Sequence, residues 1–336
     1  MLKGAIIGTG FWSHFQIPAW QELEGVQIIA AYNRTRSKAE AVAEKFGIPN
    51  VYDNVNEMLD AEKPDFVDII TDVDTHAEFT KLAAERKINV ICQKPMAPSL
   101  AIAKEMVEVC KQNGVQFFIH ENFRWQAPLV ALKQKLDSGI IGRPFKGRVY
   151  FCSAFPVFDN QPFLRELEQF ILTDIGSHIL DICRFLFGEA KSLYCLTQKV
   201  NPTIKGEDVA NVLMEMESGL HCYAEMSYAS IMEKEAFPQT LVFIEGEQGS
   251  LHLTNDFELK LITREGVTST IVEPVMYDWA DPAYAVAHSS IVDCNRNILQ
   301  GLKGGNADTT GDDNFKTVQL VWASYESAAK KQVIHF

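Results

Sequence analysis

The chain is expected to fold as an α/β protein of two domains. Residues 1–122 read as a doubly wound parallel sheet, and residues 123–336 as an α+β domain with a mostly antiparallel, open-faced sheet. Three observations predict this. Short apolar runs alternate with helical segments up to about residue 122, the pattern of parallel strands joined by crossover helices. A glycine-rich turn, Gly8-Thr9-Gly10, follows the first run directly. After residue 123 the strands crowd together with turns between them, as antiparallel pairing requires.

The first run, Ala5-Ile6-Ile7, leads into Gly8-Thr9-Gly10-Phe11-Trp12-Ser13, with a helix expected from there to about Glu24. This is a Gly-x-Gly-x-x-Ser form of the dinucleotide fingerprint of Rossmann-type sheets. The first glycine makes the tight turn, the second lets a pyrophosphate approach the backbone, and the third position packs helix on strand. Gly8, Thr9, Gly10, Phe11 and Trp12 are therefore candidate cofactor contacts. The second strand, 26–32, ends at Asn33-Arg34-Thr35-Arg36. NAD sites usually present an acidic side chain here, whereas NADP sites favour a neutral residue with an arginine nearby. Asn33 and Arg34, with Arg36, lean slightly toward NADP; a solvated helix starting at the arginines would carry the same residues in an NAD protein.

Helices follow at 37–46, closed by Gly47, and at 54–61, capped by Asn54, with a short strand at 51–52 between them. Strand 66–70 ends at Thr71, and helix 77–86 follows His76. Strand 89–93 runs into Gln93-Lys94-Pro95, helix 99–113 starts at Ser99 and stops at Gly114, and strand 115–119 ends at His120-Glu121-Asn122. A lysine where an apolar strand ends is costly, because its charged form wants water. Pro95 prevents a direct continuation into helix, and the Lys94–Pro95 bond could be cis. Ligands bind beyond the carboxyl ends of the strands in such sheets, so Gly8, Asn33, Thr71, Lys94 and His120 share one edge. A surface lysine in a loop is the plain alternative.

In the second half a helix is expected at 127–138, a strand at 145–151 and a long aperiodic loop at 153–162. Further strands read at 192–200, 209–217, 220–228, 240–245, 250–253 and 258–263, and helices at 289–302 and 313–330 close the chain. The mostly apolar helix 168–187 carries Asp174, His178 and Asp181 at i, i+4 and i+7, on one face. Gly176 inside that helix suggests a close approach to its backbone. A buried helix with one polar stripe needs a polar partner, either an internal network or a wet cleft.

The net charge of −13, without a basic run, excludes a nucleic-acid partner, and no apolar stretch reaches the length of a membrane span. The seven cysteines are scattered without a Cys-x-x-Cys pair, which fits reduced thiols in a cytoplasm and offers no zinc site. Neither a metal nor a serine or cysteine nucleophile is indicated.

The combination of Gly8-x-Gly10, Thr71 to His76, Gln93-Lys94-Pro95, His120-Glu121-Asn122-Phe123-Arg124-Trp125 and Asp174-Ile175-Gly176-Ser177-His178 resembles the Gfo/Idh/MocA oxidoreductase family. The tail, with Gly311-Asp312-Asp313 and Tyr325-Glu326-Ser327-Ala328, extends that resemblance over nearly the whole chain. It implies a Rossmann domain binding NAD(P) and hydride transfer to or from a sugar or polyol hydroxyl carbon. It further implies a C-terminal domain whose open sheet forms homodimers or homotetramers. Lys94 corresponds to the lysine of the family's Glu-Lys-Pro motif, and Asp174 and His178 to its Asp-x-x-x-His pair; the resemblance makes these three the catalytic candidates, with either His178, assisted by Asp174, or Lys94 taking the hydroxyl proton and the other holding the substrate oxygen. Thr71, His76 and Gln93 become cofactor-side candidates, and His120, Glu121, Arg124, Trp125 and Asp181 candidates for substrate hydroxyls. Gln93 departs from the family's glutamate and removes a charge beside Lys94, which is expected to lower the lysine's pKa. The Gln-Lys-Pro form resembles a branch that includes D-apiose dehydrogenase-like enzymes. Two other activities stay open at this point: a tightly held nicotinamide cycling within one turnover, as in glycoside-cleaving or isomerising relatives, and a non-catalytic nucleotide-binding regulator.

Overall fold

In the computed structural model, which describes residues 1–336 except for the side chain of Asn160, the chain divides into two compact units. The first comprises Met1–Asn122, Tyr277–Asp281 and His288–Val318. Its strands and helices alternate: β1 (Leu2–Ile7), α1 (Ser13–Gln21), β2 (Val26–Tyr32), α2 (Arg36–Phe46), β3 (Asn50–Tyr52), α3 (Val55–Glu62), β4 (Phe66–Ile69), α4 (His76–Glu85), β5 (Asn89–Gln93), α5 (Leu100–Asn113) and β6 (Phe117–His120). Among the described residues the six strands lie in the order β3-β2-β1-β4-β5-β6, every pair parallel. The direction of winding reverses between β1 and β4, which opens a crevice at their carboxyl ends.

Local sequence accounts for most boundaries. Asn54 caps α3 by accepting from the amides of Asn56 and Glu57, and Ser99 caps α5 by accepting from Ile102. Gly47 and Gly114 end α2 and α5 in the left-handed region. Helix α1 stops at Gln21, short of the expected Glu24, because the amides of Glu22 and Leu23 turn back onto Pro18 and Trp20. The central strands are buried on both faces, so they read as continuous apolar runs; the exception is Asp68, wholly buried in β4.

The second unit comprises Phe123–Met276, Pro282–Ala287 and Gln319–Phe336. Its elements are α6 (Ala127–Asp137), β7 (Pro144–Cys152), α7 (Val157–Asn160), α8 (Ile171–Phe187), β8 (Ala190–Gln198), β9 (Val209–Met216), β10 (His221–Ser227), β11 (Leu241–Gly246), β12 (Gly249–Leu253), β13 (Glu258–Thr263) and β14 (Gly266–Ile271). Helices α9 (Ala285–Leu302) and α10 (Gly311–Lys330) and the short β15 (Ile334–His335) complete the chain. Among the described residues nine strands form one sheet in the order β14-β13-β12-β11-β7-β10-β9-β8-β15, antiparallel except for the β7–β10 pair. One face is covered by α8, whose apolar side joins Val149, Val212, Met214 and Ala224 in a continuous core. Gly176 has the close neighbour its position suggested: a Cβ there would meet the Met226 sulfur of β10 at 3.3 Å.

Several expectations are corrected. Helix α8 begins at Ile171, not 168, because the carbonyls of Leu167 and Glu168 lie against Gly206 and the Glu207 carboxylate takes the amides of Phe170 and Leu172. The stretch read as an aperiodic loop at 153–162 contains α7, followed by a 3-10 turn at Pro162–Glu166; Val157, Leu164 and Phe170 give them a small core of their own. Strand β8 ends at Gln198 because the Asp208 carboxylate receives the amides of Val200 and Asn201 and turns the chain. A single division at 122/123 also differs from the two units, since 277–281 and 288–318 belong with the first. Ile291 and Val292 of α9 pack on Ala19 of α1, a pairing that periodicity cannot assign to either domain.

Candidate active site

At the carboxyl edge of the first unit, Gly8 has φ +103°, and a Cβ on it would come within 2.6 Å of the Ile70 carbonyl. Only glycine makes this turn without displacing β4. Gly10 has open space in front of it, with no atom within 4 Å of an added Cβ. Ser13, in place of the third glycine, donates from its hydroxyl to the Gly10 carbonyl at 2.7 Å and so holds the turn. No acidic side chain stands in the first turn of α1, and none caps its amides. A cradle open at Gly10, with no acidic side chain in the helix turn that follows it, fits a dinucleotide pyrophosphate. At the end of β2, Asn33 donates to Thr9 at 2.8 Å while its carbonyl oxygen accepts from the Thr35 amide. Arg34 is exposed, and Arg36 is bonded to Glu40 with Asp53 beside it. Phe11 is exposed, its ring edge-on to Trp12 and Phe15.

Beyond β4, half-buried Thr71 accepts from the Thr75 hydroxyl. His76 was expected as a cofactor contact and is instead buried, its Nε2 at 3.1 Å from the Thr71 carbonyl and its Nδ1 at 3.2 and 3.3 Å from the carbonyls of Pro95 and Met96. Its ring ties the end of β4 to the turn after β5, and burial pushes its pKa down. The Lys94–Pro95 bond is cis, one of the two possibilities the sequence left. Lys94 is half-buried, and its amide donates to the Gln93 side-chain oxygen at 3.0 Å.

Behind Lys94 runs a polar chain that sequence reasoning missed. The Gln93 Nε2 donates to Gln16 Oε1 at 2.6 Å and lies 3.4 Å from His120 Nδ1. Gln16 Nε2 in turn reaches both oxygens of Asp68 at 2.7 Å, and the Trp20 indole donates to the same carboxylate at 2.8 Å. His120 Nε2 faces Asn295 Oδ1 at 3.0 Å. His120 and Glu121, expected to contact substrate, are wholly buried, and both His120 ring nitrogens are engaged inside this chain. The available signal was Asp68 itself, a lone acid within the apolar strand 66–70.

In the second unit Asp174, half-buried in the first turn of α8, accepts from the Tyr228 hydroxyl at 3.2 Å. Burial and the Asp174 charge hold that phenol well above its ordinary pKa, so it serves as a donor. His178, one turn on, is 2 % exposed and stacks face to face on Phe123, with ring centroids 3.7 Å apart. Arg124 and Asp181, expected as substrate contacts, satisfy each other: the guanidinium forks onto the carboxylate at 2.6 and 2.7 Å, and both groups are buried. The Trp125 indole N–H is buried without a hydrogen-bond partner. Of the polar stripe on α8, Asp174 and His178 therefore remain as candidates for chemistry, and Asp181 anchors the segment that carries Phe123.

Residues 2–121 match the oxidoreductase family with an NAD-binding Rossmann fold, and residues 129–252 match the GFO/IDH/MocA C-terminal domain. A D-apiose dehydrogenase of Paraburkholderia graminis is 42% identical over 99% of this chain and 89% of its own length. A D-apiose dehydrogenase of Rhizobium rhizogenes is 40% identical over 99% of this chain and 97% of its own. Among solved structures, an oxidoreductase from Agrobacterium radiobacter in complex with NAD+, L-tartaric acid and magnesium superposes with a TM-score of 0.97, at 40% identity, covering 99% of this chain and 98% of that one. The chain belongs to the Gfo/Idh/MocA family of oxidoreductases.

Proposed function

We propose that the protein is an NAD-dependent dehydrogenase that oxidises the anomeric carbon of a free aldose of the D-apiose type to its lactone. The observation that carries this reading is near full-length identity of 42% and 40% to two D-apiose dehydrogenases. NAD is favoured over the slight lean to NADP because Arg36 is already engaged by Glu40 with Asp53 beside it. A 2′-phosphate would add negative charge next to those carboxylates. Gly8, Thr9, Gly10, Phe11, Trp12 and Asn33 would hold the dinucleotide, with Thr71 at the neighbouring strand end.

When bound, the nicotinamide supplies the hydride acceptor. The C–H bond at the anomeric carbon breaks with its electron pair, the hydroxyl O–H gives up its proton, and a carbonyl forms. In this reading His178 takes the proton, since an imidazole nitrogen can accept one near neutral pH. Asp174, fixed by Tyr228, stabilises the imidazolium that results. Lys94 donates to the substrate oxygen as negative charge develops there. Gln93 and His76 act from behind this edge by holding Lys94 and Thr71. The exposed sheet face, where Tyr223 lies opposite Leu213, is assigned to a homodimer or homotetramer, and a cytoplasmic location is supported by seven cysteines that form no disulfide.

The test follows absorbance of reduced nicotinamide with NAD+ or NADP+ over a panel of aldoses, glycosides and cyclitols. D-Apiose with NAD+ is expected to exceed the other sugars in kcat/KM by roughly tenfold or more. Turnover without net cofactor reduction, or none with any sugar, would overturn the reading. Sedimentation of the same preparation as a monomer would remove the assembly from it.

A further inference from the structure

We infer that Asp68, a carboxylate buried in β4, is a positioning residue that sets the hydrogen-bond polarity at Lys94 and His120 through Gln16 and Gln93. The argument is one of donors and acceptors. Above the raised pKa of its carboxyl Asp68 is ionised, and an ionised carboxylate only accepts, so it compels Gln16 to turn its NH2 group toward it, at 2.7 Å from both oxygens. Gln16 Oε1 then faces outward and takes the Gln93 NH2 at 2.6 Å. That orientation fixes the other end of Gln93, whose Oε1 is left to accept the Lys94 amide at 3.0 Å. The same Gln93 nitrogen faces His120 Nδ1 at 3.4 Å, which makes Nδ1 the acceptor and places the ring proton on Nε2, toward Asn295 Oδ1 at 3.0 Å. Each member has one orientation, chosen by the member before it, and the chain starts at the charge. Its groups all belong to the first unit.

The residue at 93 follows from this. A glutamate there would set a second acceptor against Gln16 Oε1, so an ionised Asp68 and a glutamine at 93 are a matched choice. Replacing Asp68 by asparagine inverts the chain. Trp20 Nε1 holds the asparagine oxygen, the asparagine NH2 turns Gln16 over, and Gln93 then presents its NH2 to the Lys94 amide. With glutamate at 93 as well, an acceptor again faces Lys94. The groups around Asp68 leave the charge to these donors: α1 supplies Gln16 and Trp20, β1 pairs Ile6 with it, and on β5 the buried Cys92 is held as a thiol.

The inference rests on the role proposed for Lys94, and the test separates the two. Nitrogen NMR of ring-labelled histidine in the intact protein at a pH of about 8 reads the His120 tautomer without reference to catalysis. The expected result is a neutral ring protonated on Nε2, moving to Nδ1 in Asp68→Asn. A wild-type proton on Nδ1, or an unmoved tautomer in the variant, overturns the relay, and the wild-type spectrum alone decides if the variant does not fold. In parallel, Asp68→Asn and Gln93→Glu are each expected to lower kcat by roughly tenfold or more, and the double variant to recover most of the loss. Losses that multiply in the double variant would contradict the matched choice. A wild type inactive on every sugar would sink the proposed reaction, while the tautomer measurement would still judge the relay.

Discussion

Asp68 shows how a single side chain links stability to the site. Burial raises its carboxyl from 3.8 to about 7, against the opposing pull of the Trp20 and Gln16 hydrogen bonds. A carboxyl whose pKa is raised on folding contributes most below its unfolded value and loses that contribution as pH climbs through the folded one. Relative to Asp68→Asn, the wild type should therefore lose on the order of 4 kcal/mol of unfolding free energy between pH ~4 and ~8. Denaturant unfolding of both proteins across that range checks this, and parallel curves would refute it. Lys94, Asp174 and His178 stood out in the sequence because each breaks an apolar pattern. Asp68 breaks the same kind of pattern, but a strand's period cannot say that its polar residue is buried or that Gln16, 52 positions earlier, answers it. Arg124 and Asp181 were visible as polar residues; that they pair is a long-range fact.

Helix α8 carries Asp174 in its first turn, so whatever fixes its start also fixes the carboxylate. Phe170, at the cap position, has no side chain able to accept an amide, and the Glu207 carboxylate takes the Phe170 and Leu172 amides at 3.3 Å while accepting from Tyr325 at 2.7 Å. Glu207→Ala should lower stability by about 1–2 kcal/mol through the lost cap and the stranded phenol, with a fall in kcat because Asp174 frays with the first turn. Glu207→Gln, which can still accept, should lose less. Equal unfolding midpoints for Glu207→Ala and wild type would contradict the external cap. Where caps are local, as at Asn54 and Ser99, the sequence located the helix start closely; where the cap comes from 37 positions away, it did not. The exposed strand β14 carries no buried face to write a period, and it went unread for that reason.

At the scale of the whole molecule, the alternation of strand and helix foretold a doubly wound sheet, and the strand order 3-2-1-4-5-6 places Gly8 and Asn33 on one side of the β1–β4 reversal and Lys94 on the other. The assignment of α9 to the first unit was not legible, because an amphipathic helix states that it packs without stating on what. The second unit's open face runs from Leu213 through Tyr223 and Arg148 to Phe243 in cross-strand register, a surface whose residues alternate with the buried core. The central claim is direct hydride transfer from the sugar to NAD, and the closest test uses D-apiose deuterated at its anomeric carbon. Mass analysis after a limited turnover should find the deuterium in the reduced nicotinamide, in step with lactone formed and abolished in His178→Ala. Deuterium retained in the sugar or released to water, with no net reduced cofactor, would contradict it.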